Sequence, residues 1–112
     1  MEVRAIARRI DISPRKVRIV GNAIKGMGVR EAVAALLLIP NKAGGPIAKA
    51  VKSAAANAEN NYNLSAEDLY VVQVVADPGR STKRWRARAR GRAASIIKRS
   101  SHITVVVKER EA

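Results

Sequence analysis

Arg84, Arg86, Arg88, Arg90 and Arg92 occupy every second position of one stretch of this chain, and Trp85, Ala87, Ala89 and Gly91 fill the gaps. In an extended strand successive side chains point to opposite faces, so all five guanidinium groups fall on one face. In a helix the same residues would be smeared around the axis. Arginine forks onto phosphate oxygens and stacks on bases. The small Ala and Gly residues allow close backbone approach, and Trp85 offers one stacking plate. A second cationic set, Arg15, Arg18 and Lys25, falls with Asn22 at spacings of three and four on one helical face, with Lys16 beside it. Both patterns suit a grip on a polyanion. Reaction chemistry has little material. His102 is the only histidine and there is no cysteine, so catalytic triads, disulfides and cysteine metal sites are not expected. Gly21 and Gly26 have the spacing of a phosphate loop, but Met27 stands where its lysine belongs. Glu67 and Asp68, just before a strand, cap or are solvated. No enzyme activity, cofactor or metal is expected.

The elements that position these groups follow from periodicity. Val3 to Ile10 alternates as a short strand, with Val3, Ala5 and Ala7 opposite Arg4, Ile6 and Arg8. Ser13-Pro14 signals a helix start, with the Ser13 side chain accepting a bond from a backbone N–H. Val17, Val20 and Ile24 form the inner face of that helix, and Gly26 and Gly28 end it. A second helix runs from about Val29 to Ile39, with Ala32, Val33, Leu36 and Leu37 inward, and Pro40 stops it. A third starts after Gly44-Gly45, with Ile47, Val51, Ala54, Ala55, Ala58 and Tyr62 as its buried stripe. Tyr70 to Val75 and Ile103 to Val107 are β-branched runs that read as strands. The 27 residues between them are too many for a structureless loop in a compact domain. Residues 69–107 therefore read as one long β-hairpin whose far half is basic and reaches about 40 Å, against a radius of gyration of about 13 Å for a globule of this length.

Charge agrees with that division. The chain has 112 residues and a net charge of +13. Residues 1–30 carry net +6, residues 31–76 net −1, and residues 80–99 hold nine cations and no anion. Apolar residues make up 47%, enough for a core. With 20 alanines and no phenylalanine, small aliphatic side chains must pack it. The longest apolar run, Ala32 to Ile39, is far short of the roughly 20 residues that span a bilayer. No signal-peptide pattern begins the chain. A soluble protein of a reducing compartment is expected, with no membrane and no small-molecule substrate as partner. Nine like charges on an arm with no apolar core to hold it repel one another unless something anionic surrounds them.

Four motifs occur in one order and spacing: Ser13-Pro14-Arg15-Lys16-Val17-Arg18, Ser53 through Asn61, Arg88-Ala89-Arg90-Gly91-Arg92-Ala93, and Ser101-His102-Ile103 through Val107. In these the whole chain resembles the L-twenty-two family of bacterial large-subunit ribosomal proteins. The resemblance implies an α+β fold: three helices packed on a small antiparallel sheet, with a long protruding basic β-hairpin. Residues 1–112 would form one domain and residues 77–100 its arm. It implies binding of 23S ribosomal RNA, a role in subunit assembly, neighbouring ribosomal proteins as partners, and a hairpin lining the peptide exit tunnel. RNA contacts are then expected at Arg15, Lys16, Arg18 and Lys25, at Lys83, Arg84 and Arg86, at Arg88, Arg90 and Arg92, and at Lys98, Arg99 and His102. Lys83 and Arg84 match the family's Lys-Arg pair near the tunnel tip, where changes in family members can cause macrolide resistance, and Trp85 and Arg86 stand at the same tip in place of the family's usual aliphatic or similar residues. The location implied is the cytoplasm, in the ribosome of a bacterium or an organelle. The alternative from another class is a DNA-architectural protein inserting basic β-arms, which would want an apolar wedge at the tip and a dimer face. A membrane-active cationic helix fails for want of a large apolar face.

Overall fold

The computed structural model describes residues 2–39, 42–87 and 93–109. A strand β1 (Glu2–Ile10) leads into three helices, α1 (Pro14–Ile24), α2 (Val29–Leu38) and α3 (Gly44–Tyr62). Four strands follow: β2 (Leu69–Pro78), β3 (Thr82–Ala87), β4 (Ala93–Lys98) and β5 (Ser101–Glu109). The order β1-β5-β2 makes an antiparallel body sheet, and β3 and β4 pair as a second, two-stranded sheet. This is the α+β architecture expected.

β5 is central because its β-branched run can be buried on the pleat. Ile103, Val105, Val106 and Val107 are all buried. The helices cover the face that carries Val3, Ala5, Val71, Val105 and Val107. α3 lies on β1 and β5, and its buried Ala54, Ala55 and Ala58 are short side chains that permit close approach. α1 lies on β2. There Gly21 is required by contact: a Cβ would come to 2.9 Å from the Val74 Cβ. The loop after α1 is stitched to the same strand, with Gly26 N–H donating to Val71 O and Val71 N–H to Met27 O, both at 2.8 Å.

Several local expectations need correction. Ser13 makes no side-chain cap bond; its carbonyl accepts from Lys16 and Val17 N–H instead. Leu37, placed inward by periodicity, is 72% exposed, because α2 packs mainly on α3 and its last turn passes the edge of the core. Tyr62 is 48% exposed at the final turn of α3, where Asn63 takes the left-handed conformation and closes the helix. The β1 and β2 ladders are irregular. The register slips between Ala7 and Ile10, with Arg9 at φ 58°, and again between Val71 and Gln73, where Val72 is the extra residue. The hairpin is two ladders in line. β2–β5 pairing runs to Pro78 opposite Ser101, and β3–β4 pairing resumes at Thr82 opposite Lys98. The radius of gyration is 16.9 Å and the longest extent 66 Å. That exceeds the roughly 13 Å of a compact chain of this length.

Candidate nucleic-acid interface

The two ladders join beside the start of α1, and the junction is closely fitted. Gly79 N–H donates to Ser100 O at 2.9 Å. Ser100 Oγ donates to Arg80 O at 2.7 Å, and Ser101 Oγ donates to Ile12 O. A Cβ at Gly79 would stand 2.6 Å from Ser100 Oγ and 3.3 Å from the Ser100 carbonyl carbon, so only glycine fits without a shift. Arg18 reaches across from α1, its Nη2 donating to Ala76 O at 2.8 Å. These bonds fix the strands where the arm leaves the body. The bonds at Gly79, Arg80 and Ser100 also satisfy backbone groups that the break in the ladder would otherwise strand.

A cleft of about 690 Å³ opens at this junction. Arg15, Lys16, Arg18 and Arg99 stand around it, and none of the described residues that line it carries a carboxylate. The field there is positive, and the start of α1 adds its dipole to it. Pro14, Ile19 and Pro78 give the cleft an apolar wall.

The structure thus brings Arg15, Lys16, Arg18 and Arg99 together. Lys98 is exposed at the end of β4, next to Arg99. Lys25 is exposed at the far end of α1, about 15 Å away by helical rise. His102 is half-buried, and its Nδ1 accepts from Arg9 N–H at 3.3 Å, so the ring props the irregular end of β1. Lys83, Arg84, Trp85 and Arg86 lie on β3, opposite Ile97, Ile96, Ser95 and Ala94. Arg88, Arg90 and Arg92 lie outside the described residues. Sequence reasoning did not single out Ile19, Gly79 or Ser100. Ile19 gains its place from the hairpin root some 60 to 80 residues away, and Gly79 and Ser100 from each other across 21 residues, which no local pattern reports. Glu67 is solvated, one of the two roles expected of it, and pairs with Arg30 at 3.2 Å on the surface.

Residues 5–108 match the family model described as Ribosomal protein L22p/L17e. The chain belongs to this family. The large ribosomal subunit protein uL22 of Thermoanaerobacter sp. (strain X514) is 55% identical over 111 residues, covering 99% of this chain and 100% of that protein. The protein of the same name from Clostridium novyi (strain NT) is 51% identical over 110 residues, covering 98% and 99%. That of Herpetosiphon aurantiacus is 48% identical over 111 residues, covering 99% and 98%. The likeness runs through the body, the cleft and the arm. The DNA-architectural alternative finds no support among these relatives.

Proposed function

We propose that this chain is a structural protein of the large ribosomal subunit, forming one domain with residues 77–100 as its arm. It binds 23S ribosomal RNA along two basic surfaces, supports subunit assembly, and sets its arm, with Lys83 to Arg86 on β3, in the wall of the peptide exit tunnel. The large-subunit role and the place in the cytoplasmic ribosome rest on the family and its bacterial members. The observation that carries the RNA reading is the convergence of Arg15, Lys16 and Arg99 on one cleft at the root of a projecting hairpin, with no carboxylate among the described residues that line it. Cations gathered in this way gain affinity from phosphates by releasing counterions. The arm adds the alternating arginines from Arg84 to Arg92. Its length suits a passage through RNA better than a solvent-exposed tail, because nine like charges need an anionic surround. Contacts at Lys25, Lys98 and His102 belong to the same proposal, with His102 serving first as a prop for β1.

Tagged chain added to large subunits reconstituted without it tests this reading. It should sediment with large subunits and not with small ones, and a photo-reactive group at position 84 should cross-link to a nascent peptide. Sedimentation apart from large subunits would overturn the proposal. Binding without the nascent-chain cross-link would overturn the tunnel placement alone.

A further inference from the structure

The cleft at the root of the arm combines two chemistries, and phosphate accounts for only one of them. Its rim is cationic, with Arg15, Lys16 and Arg99 all exposed. Its wall holds Pro14, Pro78 and Ile19. Ile19 is 62% exposed, whereas the neighbouring aliphatics of α1, Val17, Val20 and Ile24, are buried. An isoleucine left in water contributes nothing to the core, and a phosphate gains nothing from it. An unpaired nucleotide uses both features, since its phosphates are anionic and its base face is apolar. A duplex keeps its bases stacked and offers a surface groove mainly sugar and phosphate. The volume, about 690 Å³, lies within the roughly 300–1,000 Å³ of sites that hold one small molecule.

We propose that this cleft receives a single unpaired nucleotide of the bound RNA. The base lies against Ile19 between Pro14 and Pro78, and the flanking phosphates lie on Arg15, Lys16 and Arg99. The proposal rests on the RNA-binding reading above and names the form of RNA that the site takes. Arg18 is a positioning residue here: its Nη2 is engaged with Ala76 O and holds α1 against β2, which sets the width of the cleft. The Ser13 side chain makes no cap bond to the eleven-residue α1, and the helix start favours an anion nearby. Apolar contact with a base face tolerates any base, so sequence preference at this site is weak.

The test uses the full chain with isoleucine methyl groups labelled for NMR, titrated with a short oligoadenylate, a blunt RNA duplex, tripolyphosphate and an oligoglutamate peptide. Oligoadenylate should move the Ile19 methyl signal upfield by ring current, and the other three should leave it in place. Ile19→Ser, a change at an exposed position, should weaken oligoadenylate binding about fivefold to tenfold and leave duplex binding unchanged. Arg15→Ala should weaken both. An unmoved Ile19 signal with oligoadenylate bound, or binding of duplex alone, would overturn the inference and leave the RNA reading standing. An equal shift with oligoglutamate would assign the cleft to a peptide and also overturn it. Failure of every RNA to bind would remove the RNA reading itself, and the inference with it.

Discussion

The body sheet and the arm sheet share one hairpin, yet different forces hold them. In the body, β5 buries Ile103, Val105, Val106 and Val107 between two partner strands, under helices that cover one face. In the arm, β3 and β4 pair only with each other, and among the described residues no third strand or helix joins them. The arm's segment of sequence, residues 80–99, contains nine cations and no anion. Apolar burial supplies the body with stability of its own. A lone two-stranded ladder is marginal in water, and like charges weaken it further. The comparison teaches that one continuous hairpin can be written half for the protein and half for its partner, with the change made at Gly79 and Ser100.

Breaking the body should have the largest effect. Ile103→Ala removes a fully buried side chain from the central strand and should cost about 2–5 kcal/mol in chemical denaturation. The same truncation on β4, Ile96→Ala, should change unfolding of the body by less than about 0.5 kcal/mol. Equal destabilisation at both positions would mean that the two sheets form one cooperative unit.

The junction comes next. Gly79→Ala drives a methyl into Ser100 Oγ and should destabilise by about 1–3 kcal/mol, with weaker RNA binding as the arm root shifts. A neutral result would show that the Ser100 turn yields without cost. Arg18→Ala deletes the bond to Ala76 O and should lower stability by about 0.5–1.5 kcal/mol. Arg15→Ala should leave stability alone and reduce the salt slope of RNA binding by up to about 0.9. If Arg18→Ala behaves like Arg15→Ala in both assays, Arg18 is a phosphate ligand and not a strut.

Most of the body was legible because helical and strand periods report burial directly. The stripe of α3 from Ile47 to Ala58 and the run of β5 were read as the structure has them. Leu37 and Tyr62 were misread because periodicity gives a side chain's direction on a helix, not whether anything stands there to cover it. The extra residue at Val72 and the turned Arg9 were invisible because a bulge is defined against a partner strand. For the candidate site, the charge of Arg15, Lys16 and Arg99 was plain, and their convergence was not. It depends on α1 meeting the root of the hairpin, with Pro14 and Pro78 facing one cleft across 64 residues of chain. The role of His102 as an acceptor for Arg9 N–H follows from the same long-range closure.

The arm's charge has the smallest effect on stability, and it tests the division of labour directly. Affinity of the full chain for 23S ribosomal RNA should be measured across a range of salt, for the unaltered chain and for Arg88→Ala, Arg90→Ala and Arg92→Ala combined. The slope of log affinity against log salt should flatten by up to about 0.9 for each phosphate that the arm no longer neutralises, while the denaturation midpoint of the body stays where it was. An unchanged slope, or a body that loses stability with those three arginines, would contradict an arm written for RNA and a body that folds without it.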